Sequence, residues 1–404
     1  MTSAVTYDVV VVGGGPAGAT AAHDLARQGR TVALLDKAGR IKPCGGAIPP
    51  RAIRDFDIPG HMLVARVNAA RMIAPSNREV DMPIDGGFVG MVDREPFDEF
   101  LRVRAAEAGA DRLTGTFEAV EHDPDGVAVV TFTPKGAPDG AAPSRLRARC
   151  IIGADGARSQ VAKQTVKGAE KIPCVFAYHE IVEAPRDEAG QAIVPKYDPL
   201  RCDVFYQGKL SPDFYAWIFP HGDKVSIGTG SAHKGFSLRG SVGELRAATG
   251  LDQMKTVRRE GAPIPLKPLR KWDNGRDVVL AGDAAGVVAP ASGEGIYYAM
   301  LCGRLAADAA ADFVTTGNPR ALATARKRFM KAHGRVFWIL GIMQYFWYSS
   351  DKRREKFVAI CQDKDVQRLT WEAYMNKELV RRDPMAHVRI FFKDLAHLFG
   401  FARA

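Results

Sequence analysis

Hydrophobic patterning at the start of the chain alternates between runs typical of buried strands and one helical stretch. Residues 7–12 (YDVVVV) form an apolar run rich in β-branched side chains, as expected of a buried parallel strand. Glycines follow at 13–15, then a stretch of helical character over residues 16–28, a turn at Gly29 and a second apolar run at 31–35. This order predicts a β-α-β unit.

The middle of the chain is predicted to be rich in β-strands. Alternating segments are separated by turn signals such as Asp125-Gly126 and His221-Gly222-Asp223. After residue 321 the pattern is mostly helical. The predicted elements, in chain order, are a hairpin within 116–133, a loop at 134–144, a strand at 149–152, a hairpin from 215–219 and 225–229, a strand at 277–281 and a helix over 295–315.

The positive charge is concentrated at the C-terminal end. The sequence has 56 Lys and Arg against 46 Asp and Glu, a net charge of +10. Residues 320–404 hold 18 basic and 8 acidic residues, again a net charge of +10. The net charge of the first 319 residues is therefore zero. This asymmetry indicates contact with a polyanionic surface, although a set of solvated charged helices has the same composition. Because no base-reading motif accompanies the charge, no nucleic-acid partner is expected.

The cysteines and the N-terminus indicate a cytoplasmic protein. The six cysteines are scattered, without a CxxC pair or a His/Cys cluster at metal spacing, so reduced thiols are expected and a metal site is not. The N-terminus runs straight into the first strand without a signal-peptide pattern, so export is not expected. A hydrophobic content of 46% and a charged content of 25% are those of a globular chain.

The glycines after the first strand match the pattern GxGxxG through Gly13, Gly15 and Gly18. In that pattern the first glycine permits a tight turn, the second lets a pyrophosphate approach, and the third allows close helix–strand packing. The start of the helix then offers its N–H groups to phosphates. Asp36, at the end of the second strand, can accept hydrogen bonds from two ribose hydroxyls. The expected members of this dinucleotide site are Gly13, Gly15, Ala17, Gly18, Asp36 and Lys37.

Three further motifs stand at the ends of predicted strands or the starts of predicted helices. Arg94 lies in the first turn of a helix that Asp93 is predicted to cap, beside the dinucleotide; by residue type alone it is an ordinary exposed charge. Asp155 lies in GADGARS and Asp283 in AGDAAG, each after a buried strand. Two Gly-Asp turns of this kind are what a second binding site requires, one for the phosphate and ribityl chain on the flavin side of a dinucleotide.

The ordered set of GxGxxG, Arg-x-x-Phe-Asp, GADG-x-x-S and GDAAG resembles the FAD-dependent oxidoreductases of the glutathione-reductase type, and within them the aromatic hydroxylases and their relatives. The resemblance covers roughly residues 7–316. It implies that Asp36 binds the adenosine ribose, that Arg94 lies against the dinucleotide, and that Asp283 takes the ribityl chain or pyrophosphate. The further cofactor residues that it implies are Asp155, Gly282, Gly295 and Ile296, the last two through backbone N–H groups near the flavin ring.

Two more motifs are similar to those of the geranylgeranyl reductase family. They are Lys42-Pro43-Cys44-Gly45-Gly46-Ala47 and Tyr215-Ala216-Trp217-Ile218-Phe219-Pro220, the second followed by Gly228. In that family the Cys-Gly-Gly loop lies beside the flavin and the aromatic strand lines the prenyl cavity. The variant PCGGAIPP, with this C-terminal extension, most resembles the members of the bacteriochlorophyll pathway. The resemblance implies catalytic-loop residues Cys44, Gly45 and Gly46 and substrate residues Tyr215, Trp217 and Phe219.

The residue types alone leave other interpretations open. A lone cysteine is more often a buried small hydrophobe than a reactive group, although the adjoining glycines would let substrate and flavin approach the backbone. An aromatic strand face is ordinarily core, and a core stripe and an apolar substrate wall present the same surface. The proton donor is not identified; Glu294, His179 and Tyr206 are polar candidates.

The predicted fold class is α/β, with an FAD-binding, Rossmann-like domain of the glutathione-reductase type, an inserted antiparallel β-sheet substrate domain and a helical C-terminal segment. The FAD-binding lobe is expected from residues 1–171 and 273–320, including parts of the β-region at 60–95. The inserted domain is expected at 172–272 and the basic helical segment at 321–404.

Two apolar stretches in the C-terminal segment are expected to form helices. Residues 336–348 are about 13 in number, short of the ~17–20 that a membrane-spanning helix needs. Residues 387–401 repeat apolar positions at helical spacing. Aromatic faces among basic residues indicate an interfacial helix on anionic lipid, and a buried lid over a substrate tunnel is the alternative.

The resemblance implies reduction of isolated C=C bonds of a geranylgeranyl chain, expected on a bacteriochlorophyll intermediate, to the phytyl form. FAD is the expected cofactor and NADPH the expected reductant; because the sequence has no second GxGxxG, this donor is expected either to visit transiently or to be replaced by another reductant. The expected partners are a geranylgeranylated pigment or lipid, an anionic membrane surface and enzymes of pigment synthesis. The expected location is cytoplasmic and peripheral on the inner or photosynthetic membrane. The alternatives are a flavin hydroxylase of an apolar or aromatic substrate, a reductase of prenyl-ether membrane lipids, and a non-catalytic prenyl-lipid carrier.

Overall fold

The computed structural model describes residues 6–37, 39, 41–187, 189–191 and 193–377. Its strands are β1 (Thr6–Val12), β2 (Val32–Asp36), β3 (Ala47–Ile48), β4 (Leu63–Val67), β5 (Ala69–Ile73), β6 (Glu79–Pro83), β7 (Val89–Val92), β8 (Asp111–His122), β9 (Ala128–Pro134), β10 (Ser144–Gly153), β11 (Cys174–Glu183), β12 (Arg201–Phe205), β13 (Ala216–His221), β14 (Lys224–Ser231), β15 (Thr256–Pro265) and β16 (Val278–Leu280). Its α-helices are α1 (Pro16–Arg27), α2 (Pro50–Asp55), α3 (Arg94–Glu107), α4 (Gln160–Thr165), α5 (Leu238–Thr249), α6 (Ile296–Thr316), α7 (Thr324–Trp347), α8 (Asp351–Ile360) and α9 (Lys364–Asn376).

The described residues fall into two compact units. The first unit takes its described residues from within 6–42, 94–174 and 263–337, and the second from within 43–93, 175–262 and 338–377. Each unit is therefore assembled from three separated stretches of chain.

The first unit is built on a parallel sheet in the order β8-β2-β1-β10-β16. Strand β9 pairs antiparallel with residues 115–122 of β8 and with residues 144–148 of β10. Strands β8, β9 and β10 therefore form a three-stranded meander that extends the sheet. Residues 9–11 of β1 are fully buried, which is why that strand is apolar on both faces. Helix α1 packs against α3 and α6. A side chain at Gly303 of α6 would collide with the Ala17 carbonyl, so this glycine permits the close approach of the two helices.

The second unit contains a seven-stranded sheet in the order β15-β11-β14-β13-β12-β5-β6 and a three-stranded sheet in the order β3-β7-β4. Strands β13 and β14 form the predicted hairpin, and Gly222 in its turn has a φ of +70° that favours glycine. One face of the β11-β14-β13 region packs on α5, burying a cluster of apolar side chains. The members of that cluster include Val182, Ala216, Ile218, Val225, Ile227, Val242 and Leu245.

The division into units differs from the predicted domains over residues 43–93. This stretch lies within the range 1–171 predicted for the FAD-binding lobe, but it groups with the second unit because β5 pairs in parallel with β12 and β6 extends the same sheet. The predicted boundaries at 171 and 272 lie near the observed ones at 174 and 262, whereas the boundary predicted at 320 falls at 337, within α7.

The C-terminal segment is helical, as predicted, as far as the structure describes it. Residues 336–348 lie mostly within α7, whereas residues 387–401 are outside the described residues. Helix α8 is fastened within the second unit by the buried Arg354. Its guanidinium donates to the carbonyls of Ser211 (3.3 Å), Pro212 and Tyr348. Within the described residues, none of the helices is both long enough and apolar enough to cross a bilayer.

Candidate cofactor and substrate sites

Of the three glycines of the GxGxxG pattern, two are required by packing and one faces open space. Gly13 has a φ of +107°, and a side chain there would collide with the Ala154 carbonyl. A side chain at Gly18 would collide with the Gly13 carbonyl. A Cβ at Gly15 would meet no other atom within 4 Å. Packing inside the chain therefore does not require glycine at 15, which leaves the prediction that a pyrophosphate approaches the backbone there as the remaining reason for it.

Asp36 is held beside this loop at the end of β2. Its Oδ2 accepts a hydrogen bond from the Gly14 N–H at 2.7 Å. Arg102 of α3 donates to the Gly14 carbonyl at 3.1 Å and lies 3.9 Å from Asp36 Oδ1. Arg102 was not predicted from the sequence, because only the packing of α3 brings it to the loop. The neighbouring Lys37 is exposed.

Arg94, at the start of α3, forms a two-point ion pair with Asp98 one turn later. Nε lies 2.9 Å from Oδ1 and Nη2 lies 2.7 Å from Oδ2, and both side chains are buried. Asp98 is the last residue of the Arg-x-x-Phe-Asp motif, and its role as the partner of Arg94 was not predicted from the sequence. Asp93, predicted to cap α3, directs its carboxylate to Arg258 of the second unit at 3.1 Å.

The GDAAG turn after β16 adjoins the glycine loop. A Cβ at Gly282 would lie 2.9 Å from that of Ala17, so the two turns meet at these residues. The buried Asp283 carboxylate forms an ion pair with Lys42, which is about one-third exposed. A Cβ at Gly295 would lie 3.9 Å from Asp283 Oδ1, which places the start of α6 beside this carboxylate. Lys42 is the first residue of the Lys-Pro-Cys-Gly-Gly-Ala motif, and its pairing with Asp283 was not predicted.

Two other acidic residues are engaged in capping helices. Glu294 is buried, and its Oε1 accepts the Tyr297 N–H at 2.9 Å in the first turn of α6, next to the buried Ile296. Asp155 accepts from the Ser159 hydroxyl and from the Gln160 N–H at 2.6 Å at the start of α4. Burial raises the pKa of Asp155 in spite of these hydrogen bonds. The contacts assign Glu294 and Asp155 to their helices and leave their other roles as predictions.

The aromatic residues predicted to line a substrate cavity form a continuous row in the second unit. The ring centroids of Tyr215 and Trp217 are 5.9 Å apart, and those of Trp217 and Phe219 are 6.1 Å apart. Tyr215 stacks on Phe214 at 4.3 Å, and the row continues from Tyr215 to Tyr206 at 6.1 Å. Burial raises the pKa of Tyr206 well above its usual value, so its hydroxyl stays protonated at neutral pH.

The Cys-Gly-Gly loop packs against the end of this row. A Cβ at Gly45 would lie 3.1 Å from the Phe219 ring, and one at Gly46 would lie 2.5 Å from His221 Nε2. Gly46 also has a φ of +71°, and its N–H points to Cys44 Sγ at 3.4 Å. Packing on β13 therefore accounts for both glycines without a ligand. Burial lowers the pKa of His221 to about 4, so the imidazole is neutral at physiological pH.

The predicted site residues thus form two groups. The first unit brings together the cofactor candidates Gly13, Gly15, Ala17, Gly18, Asp36, Lys37, Arg94, Asp155, Gly282, Asp283, Gly295 and Ile296. The second unit brings together the loop and substrate candidates Cys44, Gly45, Gly46, Tyr215, Trp217 and Phe219.

Comparison with known proteins extends this picture. Residues 6–175 match a family model described as an FAD binding domain. Over 394 residues the chain is 58% identical to a Rhodobacter capsulatus protein named geranylgeranyl diphosphate reductase, and 98% of each chain is covered. Over 408 residues it is 37% identical to the chloroplastic geranylgeranyl diphosphate reductase of Oryza sativa subsp. japonica, covering 96% of this chain and 86% of the relative.

A solved structure shares the architecture. A geranylgeranyl bacteriochlorophyll reductase-like protein from Thermoplasma acidophilum superposes with a TM-score of 0.79 at 22% identity, covering 94% of this chain and 99% of that one. At this identity the likeness is one of fold. Together with the FAD binding domain, it confirms the predicted α/β fold class.

Proposed function

The chain belongs to the geranylgeranyl reductase family, and from this premise we propose that it reduces the C=C bonds of a geranylgeranyl group carried by a bacteriochlorophyll intermediate. It is an FAD-dependent oxidoreductase acting on C=C bonds. The proposal adds the pigment as substrate and NADPH as reductant.

Each turnover converts one double bond to a single bond. One carbon gains a hydride, its neighbour gains a proton, and one NADPH is oxidised to NADP⁺, so that electrons and protons balance. FAD, when bound, supplies the hydride-transfer chemistry between these reactants. The chain's own residues bind, orient and exclude water.

The first unit offers the residues that would hold FAD. The N-terminus of α1 and the open space at Gly15 suit the pyrophosphate, and the carboxylate of Asp36 suits the ribose. The Lys42–Asp283 ion pair stands beside the start of α6. The family resemblance implies the ribityl chain or pyrophosphate at Asp283 and the flavin ring near the start of α6.

The observation that carries the substrate class is the row formed by Tyr215, Trp217 and Phe219. A prenyl chain has no polar groups to recognise, so only apolar contact can select it, at about 0.8 kcal/mol per buried CH₂. The row ends at Gly45, next to Cys44 of the Cys-Gly-Gly loop. An apolar wall beside this loop supports the prediction that the chain is reduced there.

A peripheral place on an anionic membrane is the second part of the proposal. Trp338, Ile342 and Tyr345 are 69%, 47% and 87% exposed. Their spacing of four and three residues puts them on one face of α7. Exposed basic residues precede and follow them, at Lys331, Arg335, Lys352 and Arg353. Apolar rings flanked by positive charge suit the interface of an anionic bilayer, from which an insoluble pigment must be collected.

The decisive experiment compares three substrates in strict anaerobiosis. The purified FAD-loaded protein receives NADPH and either geranylgeranylated bacteriochlorophyll, geranylgeranyl diphosphate or a digeranylgeranyl glycerophospholipid. We expect mass spectrometry to show stepwise addition of two hydrogens to the pigment and much slower change of the other two. Faster reduction of the diphosphate or the lipid would overturn the pigment assignment. Product that forms only after oxygen is admitted would favour the hydroxylase, and a protein that purifies without FAD and cannot be loaded with it would favour a carrier.

A further inference from the structure

Three neighbouring strands of the second unit place a histidine and a tryptophan on either side of a glycine. In the register of the sheet, Gly228 of β14 lies opposite His179 of β11 on one side and Trp217 of β13 on the other. A Cβ at Gly228 would overlap the Trp217 indole and would lie 2.7 Å from the Cβ of His179. The two rings therefore approach each other across the glycine, with centroids 6.3 Å apart.

The two rings share one buried hydroxyl. Ser226, two residues before Gly228 on the same face of β14, is fully buried. The Trp217 Nε1–H donates to Ser226 Oγ at 3.1 Å, and His179 Nδ1 lies 2.9 Å from the same oxygen. Since an indole N–H can only donate, Ser226 Oγ accepts it, and the serine proton is available for His179 Nδ1.

The chain of contacts continues to charged residues. His179 Nε2 lies 2.8 Å from Glu260 Oε2, and Glu260 Oε1 lies 2.6 Å from Arg258 Nε. Burial opposes ionisation of Glu260, but His179 and Arg258 together lower the pKa of its carboxyl. An ionised carboxylate only accepts, so His179 Nε2 carries a proton and donates it. Arg258 is itself held by Asp93 at 3.1 Å.

We propose that Glu260, His179 and Ser226 are positioning residues that fix the indole of Trp217, and thereby set the alignment of the prenyl chain along the aromatic row. The inference rests on the proposed function for the substrate class. The indole is held from two directions, by the close approach of the backbone at Gly228 and by Ser226 at its N–H. Loss of the hydroxyl leaves only packing to hold the ring in place, and small misalignments of the double bond are costly for group transfer.

A double-mutant cycle tests the coupling. Ser226→Ala is expected to lower kcat about tenfold, to change KM less than about threefold and to raise the share of partly reduced products. In a Trp217→Phe background, which lacks the indole N–H, the same substitution is expected to change kcat less than about twofold. Equal effects in both backgrounds would overturn the inference.

A matched control separates positioning from general loss of packing. Ser231→Ala removes a second buried hydroxyl from β14, one that donates to Asp213 at 2.6 Å and does not belong to the chain of contacts ending at Trp217. We expect it to leave kcat and the product distribution unchanged. If Ser231→Ala reproduces the Ser226→Ala products, the effect is general destabilisation and the proposal fails.

A measurement without substrate keeps this test independent of the proposed function. The protein has five tryptophans, so 5-fluorotryptophan labelling gives a countable set of ¹⁹F resonances, in which Trp217→Phe identifies one. Ser226→Ala and His179→Leu are expected to shift or broaden that resonance, whereas Ser231→Ala is not; if His179→Leu fails to fold, Ser226→Ala suffices. An unchanged resonance overturns the positioning role. An altered resonance in a protein that reduces no prenyl substrate leaves the network standing and refutes the proposed function.

Discussion

Lys42 and Asp283 lie 241 residues apart in the sequence and form an ion pair in which the carboxylate is buried and the ammonium is partly exposed. The pair joins the end of the first β-α-β unit to the turn after β16. It stands beside the start of α6, where the resemblance places the flavin side of the cofactor.

Removing the positive partner tests this relationship. Lys42→Met leaves the Asp283 carboxylate buried without the lysine, and we expect a loss of about 1–2 kcal/mol in the free energy of unfolding, between the values for exposed and buried pairs. FAD retention should fall at the same time. Urea denaturation and flavin absorbance measure the two effects. Lys42→Arg, which keeps the charge, should preserve both, and equal losses in the two variants would show that the charge is unimportant.

Gly15 and Gly18 should respond to alanine in opposite ways. Gly15→Ala meets no neighbouring atom and has an ordinary φ of −75°, so the apoprotein should keep its stability while FAD binding weakens at least about tenfold. Gly18→Ala would strike the Gly13 carbonyl and should destabilise the fold itself. Thermal melts of the apoprotein and flavin titrations separate the two outcomes. Normal FAD affinity in Gly15→Ala would place the pyrophosphate elsewhere.

Arg94→Ala should unfold more readily than its motif suggests. It strands Asp98 in a buried site, which costs about 3–5 kcal/mol. The paired change Arg94→Met with Asp98→Leu should recover most of that stability by removing both charges. If Arg94 also contacts the cofactor, the paired variant will fold and still bind FAD weakly. Tight FAD binding by the paired variant would assign Arg94 to the fold alone.

The burial of His221 predicts that the folded protein loses stability in acid. Burial lowers its pKa to about 4 from an unfolded value of 6.5, so the unfolded chain binds a proton more readily than the folded one. This contribution is fully favourable above pH 6.5 and is lost as the pH falls from 6.5 to 4, by about 3 kcal/mol. Denaturation midpoints across that range should fall more steeply for the wild type than for His221→Gln. Parallel curves would contradict the prediction.

The exposed face of α7 predicts membrane binding that depends on particular side chains. Trp338→Glu together with Tyr345→Glu should lower binding to anionic liposomes more than about tenfold, and added salt should weaken binding of the wild type. Leu200→Glu, at a residue 50% exposed, is the control for an added negative charge away from α7. If the control loses as much binding as the α7 variant, the effect is one of net charge. Wild-type protein that stays free of anionic vesicles at low salt would overturn the membrane proposal.

Local patterns predicted much of the fold. The β-α-β unit at residues 7–35, the hairpin across Gly222 and the helix opening at Gly295 all follow from short-range periodicity and turn chemistry, and the structure contains them. The grouping of residues 43–93 with the second unit was not predicted, because it depends on the parallel pairing of β5 with β12, more than a hundred residues later. Such pairings leave no trace in a local window.

In the candidate site too, local features could be predicted from the sequence and long-range contacts could not. Glycines that open a tight turn are visible in a motif, whereas the partners of its charged residues are not. Arg102 reaches the glycine loop and Lys42 reaches Asp283 only through the packing of separated stretches. Gly45 and Gly46 were interpreted from their motif as leaving room for a ligand. The structure supplies a second reason for glycine at these positions, because the Phe219 and His221 side chains lie against them.

The position of β16 has a consequence for biosynthesis. The strand that completes the parallel sheet is made only at residues 278–280, and α6, which covers α1, is made later still. At about 5–20 residues per second, a ribosome needs roughly 15–60 s after making β1 to complete α6. Throughout that interval the apolar side of α1, including Leu25, lacks the helix that will cover it. Part of the apolar side of α1 therefore stays uncovered until more than three-quarters of the 404 residues have been translated.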